Sequence, residues 1–340
     1  MTTDHTRTRQ FLILGKGDTG KQDAPLRRLA RYARLAGQHV QRLTYHELHK
    51  AEKKDTTVFL AFPQSFWNTV CEKPKDTSLH GTNRRAYELY DALFARTTKE
   101  LEEHIGRRRV RFLTNPFSAG FLQDRIASAE NLDEMGVPTP ERVHTRDTEE
   151  VLHIALEQTL YLKSRYGNKG KGMIILRPNN WTTNYAVRQK RLTNPRQWQF
   201  RTITGQKELV TQFLSHDIII EKEVATGDLY DGKTWDVRCY VVDDTPVHYQ
   251  VRIHDETAGA QHLLHDNDAG LPATYEKRLQ LLARHVAAVT DQKIAAVDII
   301  FNGNAQTPKV LACHPFFDFP DVKKYDLAKY LIEESGLLHE

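Results

Sequence analysis

Two glycine-rich stretches carry lysines at spacings suited to holding phosphate. The first, Gly15-Lys16-Gly17-Asp18-Thr19-Gly20-Lys21-Gln22, follows an apolar strand and matches the GxxxxGK of a P-loop. It has Gln22 where a metal-holding Ser or Thr would stand, and its helix starts late, after Asp23-Ala24-Pro25. A true P-loop delivers its backbone N–H groups directly into a helix N-terminus. This one reads as a Gly-rich strand-to-helix turn, at a place where open α/β sheets put ligands. The second runs from Lys163 through Gly167, Asn168, Lys169, Gly170, Lys171 and Gly172 to Met173, between two short apolar strands. Lys163 can reach a phosphate as a point charge. The glycines with Lys169 and Lys171 make a cationic lid whose N–H groups can approach a triphosphate.

Charged residues then recur inside apolar strands. Ile220-Glu221-Lys222-Glu223-Val224 is followed by Trp235-Asp236-Val237-Arg238, by Gln250-Val251-Arg252, by Ala295-Ala296-Val297-Asp298, and by Ala312-Cys313-His314-Pro315. Asp236 and Arg238 alternate on one strand and read either as a functional pair or as a plain surface pair. Asp298 ends an apolar run, where an acid more often has a functional or capping partner than none. Cys313 and His314 are strand neighbours on opposite faces, so they do not form a nucleophilic dyad. His248, His254, His262 and His265 match no zinc-ligand spacing and read as scattered.

The elements that must position these residues follow from periodicity. Phe11 to Leu14, Val58 to Phe62 and Val110 to Leu113 read as strands. Pro25 to Leu35 reads as a helix, and so does the stretch holding Ala86, Leu89, Tyr90, Leu93, Phe94, Leu101 and Ile105. Their alternation predicts a mostly parallel α/β layer. Phe121 to Met135 reads as a helix stopped by Gly136 and the prolines after it. Asp147 with Glu150 predicts a capping box for a helix to Gln158. Residues 178 to 204, polar with Trp181, Tyr185 and Trp198, read as a long irregular flap. Ile218-Ile219-Ile220, Val237 to Val242, Val247 to Ile253 and Ile294 to Phe301 read as strands, with helices over Leu279 to Val289 and Leu327 to Ile332. That rhythm predicts an α+β part with an antiparallel sheet.

Composition excludes several classes. The 340 residues suit about two domains. No run reaches the ~18 apolar residues of a membrane helix, and Met1 to Gln10 lacks a signal-peptide core. A cytoplasmic chain with no membrane partner is expected. Cys71, Cys239 and Cys313 form no CxxC pair and read as reduced thiols. Lys and Arg total 48 against 44 Asp and Glu. The short basic runs therefore read as a solvated face rather than a nucleic-acid surface.

The order of the second glycine loop and the five charged motifs after it resembles the ATP-grasp superfamily of carboxylate–amine ligases, including the ribosomal-protein glutamate ligases and D-alanine ligases. The resemblance covers about residues 110 to 340. The Asp124 helix running into Gly136-Val137-Pro138-Thr139-Pro140 is similar to these enzymes' leading helix. It implies an N-terminal Rossmann-like α/β domain followed by an α+β ATP-grasp domain of two lobes. The division expected is a tail at 1–10, the α/β domain at 11–115, a glycine-loop lobe at 116–205 and a metal-site lobe at 206–340.

The resemblance also implies roles. ATP lies between the lobes. Lys163 would bind its α/β-phosphates under the Gly167 to Gly172 loop, and Arg125 stands where the family has a second lysine. Glu221, Lys222, Glu223 and Val224 would form the hinge that reads adenine. Asp236 or Asp228 would take the ribose. Arg238 and Arg252 would face the γ-phosphate or an acyl-phosphate. Asp298 would hold Mg²⁺. The family's Glu-x-Asn is replaced by Ala312-Cys313-His314, and His is a poor Mg²⁺ ligand. Asp318 is the nearby carboxylate that could complete a set with Asp298 and His314; otherwise the chain binds one Mg²⁺ or has lost turnover. The activity implied is ATP-dependent joining of a small-molecule or peptide carboxylate to an amine. A small-molecule kinase and a nucleotide-binding scaffold are the alternatives. Homodimers are common in the superfamily.

Overall fold

The computed structural model describes residues 9–15, 23–69, 78–167, 170–226, 229–230, 233–254, 270–303 and 307–338. Its first sheet is parallel. Strands β1 (Gln10–Leu14), β2 (His39–Leu43), β3 (Thr56–Leu60) and β4 (Val110–Phe112) lie in the order β2-β1-β3-β4. β1 and β3 are buried along their whole length because both sheet faces are covered. On one face pack Leu26, Leu29 and Ala33 of α1 (Asp23–Leu35) together with the C-terminal residues Leu327, Leu331 and Leu337. On the other pack Trp67 of α2 (Gln64–Trp67), Tyr90, Phe94 and Leu101 of α3 (Arg84–Ile105) and Ala119 of α4 (Pro116–Phe121). The N-terminal part is thus the expected α/β layer.

The helix expected over Phe121 to Met135 starts later than expected. α4 ends at Phe121, and α5 (Arg125–Glu134) starts afresh. The cause is Asp124, whose carboxylate accepts from the N–H groups of Ile126 and Ala127 and caps a new helix. α6 (Thr148–Glu157) follows the expected cap, with Asp147 accepting from Glu150 N–H at 2.9 Å.

The second sheet is antiparallel. It holds β5 (Leu160–Ser164), β6 (Met173–Arg177), β7 (Asn180–Thr183), β10 (Arg201–Thr202) and β11 (Ile218–Lys222), with a hairpin of β8 (Ala186–Arg188) and β9 (Arg191–Thr193) beside it. Residues 178–204 are therefore not an irregular flap. Leu176 pairs with Trp181, and the Ile203 N–H donates to the Trp181 carbonyl. Ile203, Leu192 and Tyr185 are buried with Leu209, Val210 and Phe213 of α7 (Lys207–Leu214). β11 pairs with β5 in this sheet, which thus continues past the division expected at residue 205.

The third sheet, also antiparallel, is ordered β13-β12-β14-β15. Its strands are β12 (Thr234–Val242), β13 (Thr245–His254), β14 (Ile294–Asn302) and β15 (Thr307–His314). Alternation sends Trp235, Val237, Cys239, Val241, Ala295, Val297, Ile299 and Phe301 to one face. There they pack with Leu279, Ala283 and Val286 of α8 (Ala273–Val289). Tyr240, Val242, Ile294 and Ala296 point the other way, into the core shared with α1 and with α9 (Leu327–Lys329). Asp236, Arg238 and Asp298 take the same face as these by their even spacing. No helix among the described residues is long and apolar enough to cross a membrane.

Candidate functional site

On the third sheet, strand register alone assembles an ionic cluster. Asp236 is opposite Arg252, and Arg238 is opposite Asp298. Arg238 donates from Nε and Nη2 to the two oxygens of Asp298 at 2.8 and 2.9 Å, a bidentate pair. Arg252 bridges the acids, bonding Asp236 and reaching Asp298 Oδ2 at 3.0 Å. His254 Nε2 lies 2.7 Å from Asp236, and His314 Nε2 lies 2.9 Å from Asp298. Both acids are under a tenth exposed. Burial works against the charge of Asp298, yet Arg238, Arg252 and His314 hold its carboxyl well below the usual range. Asp236 is lowered likewise, by Arg252 and His254 against burial. Asp236 and Arg238 are thus not a plain surface pair. Of the four histidines expected to be scattered, His254 joins this cluster and His248 stacks on Tyr325 at 4.8 Å. His262 and His265 lie outside the described residues.

The second group gathers at the end of β5. Lys163 forms an ion pair with Glu221 across the β5–β11 ladder, beside Tyr161, whose hydroxyl donates to Glu223 at 3.2 Å. Arg125, first residue of α5, donates to the Ser164 carbonyl at 2.6 Å. Burial pushes its guanidinium below the usual value against the pull of Glu221. Arg165 makes a bidentate pair with the capping carboxylate of Asp124 and so fixes α5 to this strand end. The flanks of the glycine loop are pinned. Ser164 N–H donates to Gly172 O at 2.9 Å, Asn184 donates to Gly170 O at 2.5 Å, and the Lys171 ammonium lies 5.9 Å from the Trp198 ring centre. Lys169 lies outside the described residues, as do Asp228 and the first glycine-rich loop from Lys16 to Gln22.

Lys222 is not an open hinge residue. Its side chain pairs with Glu141, and its N–H donates to the Glu141 carbonyl at 2.8 Å. Glu223 N–H donates to Thr159 O at 3.0 Å. Chain links tie this strand end to the third sheet: Gly303 N–H donates to Ala225 O, and Trp235 Nε1 donates to Thr226 O.

The part played by Leu79-His80-Gly81 emerges only from the structure. This tract precedes α3 yet is bonded to the second sheet's lobe. His80 N–H donates to Asn194 at 2.6 Å, Tyr185 donates to the His80 carbonyl at 2.8 Å, and Tyr166 N–H donates to the Gly81 carbonyl. The His80 ring packs on Trp198 at 5.0 Å and Trp67 at 5.8 Å. The signal available was a Gly-flanked histidine in an otherwise polar tract, which is weak. Burial, with Lys171 and Arg125 nearby, lowers the His80 pKa from 6.5 to about 3. The folded imidazole then refuses a proton that the unfolded chain accepts below 6.5. Stability therefore rises with pH between about 3 and 6.5 and falls on acidification. His80→Phe is expected to remove about 2–3 kcal/mol of this loss at pH 4.5, read from denaturation curves at several pH values.

The expected metal trio is not assembled. Among the described residues, no three His, Cys, Asp or Glu side chains are placed to hold one ion. Asp298 and His314 meet, but Asp318 is exposed, and its carbonyl accepts from Tyr240. Ala312, directly opposite Asp298 in register, offers only a methyl group. Mg²⁺ takes oxygen ligands in octahedral order. One carboxylate already held by two guanidiniums and an imidazole does not fit it.

The architecture of a parallel α/β layer followed by two antiparallel sheets is shared with solved structures along nearly the whole chain. D-alanine–D-alanine ligase from Bacillus anthracis aligns over 98% of both chains with a TM-score of 0.59 and 12% identity. The ATP-grasp ligase PsnB, complexed with a phosphomimetic precursor variant, Mg and ADP, aligns over 98% of this chain and 100% of its own at TM-score 0.59 and 11% identity. The chain has the ATP-grasp fold. D-cycloserine synthetase DcsG aligns over 95% and 97% of the two chains, with TM-score 0.59 and 13% identity. Neither a sequence-family model nor a curated protein sequence matches the chain. Within the ATP-grasp fold, the glycine loop and Lys163 stand on one sheet and the Asp236–Asp298 cluster on the other.

Proposed function

We propose that the chain binds ATP between these two groups and uses it to join a carboxylate to an amine. The carboxylate oxygen attacks the γ-phosphorus and ADP leaves. The amine nitrogen then attacks the acyl-phosphate carbon, phosphate leaves, and an amide forms with loss of a proton. The observation that carries this reading is the pairing, in an ATP-grasp fold, of a lysine and arginine under a glycine loop with a second sheet carrying two oriented guanidiniums.

Lys163, Arg125 and Lys171 would neutralise the phosphates. Because Lys222 and Glu223 N–H groups are already bonded, the adenine edge would be read from Val224 onward. Asp236, near Arg252, would serve the ribose or hold that arginine in place. Arg238 and Arg252 would stabilise charge at the transferring phosphoryl group. Their planes are fixed by Asp236 and Asp298 beforehand, so no reorganisation is needed at reaction. The substrates proposed are small-molecule or peptide carboxylates and amines.

Calorimetry with ATP tests the site. Lys163→Ala is expected to weaken binding about 10- to 100-fold through loss of a charged hydrogen bond, with melting curves checking that Glu221, left alone, has not unfolded the lobe. Product analysis tests the chemistry: ADP, and a hydroxamate when hydroxylamine traps the acyl-phosphate. Release of AMP and pyrophosphate would reject the mechanism, and a phosphorylated product stable to hydroxylamine would make the chain a kinase. Asp298, held by two guanidiniums and an imidazole, and the methyl of Ala312 favour a second reading, a nucleotide-binding chain without turnover; binding with no ADP formed across a carboxylate panel would establish it.

A further inference from the structure

We propose that nucleotide binding by this chain requires no divalent cation held by the protein, because Arg238 and Arg252 already stand as the cations beside Asp298. The inference rests on the ATP reading and adds to it. Its first support is the crowding of Asp298 by donors. Asp298 Oδ1 accepts from Arg238 Nε, while Oδ2 meets Arg238 Nη2, Arg252 Nη2 and His314 Nε2, all within 3.0 Å. With two lone pairs per oxygen, Oδ2 has none to spare and Oδ1 keeps one, so an entering ion finds a single open position on a carboxylate already held by two guanidiniums and an imidazole.

The second support is charge. Two carboxylates, Asp236 and Asp298, face two guanidiniums, Arg238 and Arg252, so these four groups are balanced without an ion. A dication at Asp298 would sit against both guanidiniums. Both guanidiniums would repel it, and the repulsion is screened less inside a protein than in water. The third is the ladder itself. The position facing Asp298 is Ala312, which brings no oxygen, and Mg²⁺ gives up its water reluctantly for so few ligands.

The guanidiniums can serve where an ion would. The bidentate bond to Asp298 uses two of the five N–H donors of Arg238, and the planar fork of the others matches phosphate oxygens. Together with Arg125, Lys163 and Lys171, the chain brings five cationic side chains to the proposed site.

The test is calorimetric titration of the full chain with ADP, once in excess Mg²⁺ and once in excess EDTA. It is paired with a Mn²⁺ titration followed by electron paramagnetic resonance without nucleotide. The expected result is an ADP affinity that agrees within about threefold between the two conditions, and a free Mn²⁺ signal equal to that of buffer. ADP binding in Mg²⁺ that weakens by about tenfold or more in EDTA, or stoichiometric capture of Mn²⁺, overturns the inference and leaves the ATP reading standing. No ADP binding under either condition removes the ATP reading and the inference with it.

Discussion

Replacing Asp298 by alanine is expected to lower the free energy of unfolding by about 3–5 kcal/mol, because breaking a buried ion pair leaves its partners uncompensated. Arg238 would lose both bonds of its bidentate contact, and two guanidiniums would share Asp236 alone. Denaturant titration of wild type and variant measures the loss. The same substitution should change the acid limb of stability. The folded carboxyl titrates well below its usual value. It therefore contributes stability that is present above the unfolded carboxylate pKa and is lost as pH falls through the folded one. Wild type should lose this contribution progressively below about pH 4, whereas Asp298→Asn should not. Replacing the pair together, Arg238→Met with Asp298→Leu, should cost less than Asp298→Ala, since matched apolar groups leave no buried charge from that pair. Equal losses would show that packing, and not pairing, holds this face.

Gly172→Ala is the second large effect. Gly172 has φ +76°, a region that L side chains rarely adopt. A Cβ there would lie 2.5 Å from Ser164 Oγ, 2.7 Å from the Tyr185 hydroxyl and 3.0 Å from the His80 carbonyl. Two of these neighbours cannot give way freely: Tyr185 is bonded to His80, and the His80 carbonyl is backbone. Strain and overpacking together predict a loss of about 2–5 kcal/mol. The comparison is Gly37→Ala. Gly37 has a similar φ of +78° but nothing within 4 Å, so only the backbone strain of about 1 kcal/mol is expected. If both substitutions cost the same, the crowding around Ser164 does not matter. A larger loss at Gly172 would show that Leu79-His80-Gly81 and the glycine loop are packed as one unit.

Much of the frame was legible in the chain because its signals are local. The apolar runs Phe11–Leu14 in β1 and Val58–Leu60 in β3 announce buried strands, and Asp147 with Glu150 marks a helix start. The alternation of Asp236, Arg238 and Tyr240 with Val237, Cys239 and Val241 marks a strand with two different faces. Other features were lost where short local signals compete. Asp124 sits inside an apolar-periodic run and reads as helix interior, yet its carboxylate breaks that run into α4 and α5. Residues 178–204 are polar because β7 and the β8–β9 hairpin expose one side, so they lack the apolar density that marks a buried strand.

The sequence by itself determined which residues could do chemistry: Lys163 beside a glycine loop, and Asp236, Arg238, Arg252 and Asp298 within apolar strands. It also determined the ATP-grasp order of these motifs. Only the tertiary structure decided who neutralises whom. Arg238 and Asp298 are 60 residues apart and meet because β12 lies antiparallel to β14 in one register; a slip of one residue would turn either side chain to the opposite face. The same register sets Ala312 against Asp298 and surrounds the acid with guanidinium and imidazole. Charge balance in a buried site is a property of neighbours across strands, and neighbours across strands are fixed by pairing rather than by position along the chain.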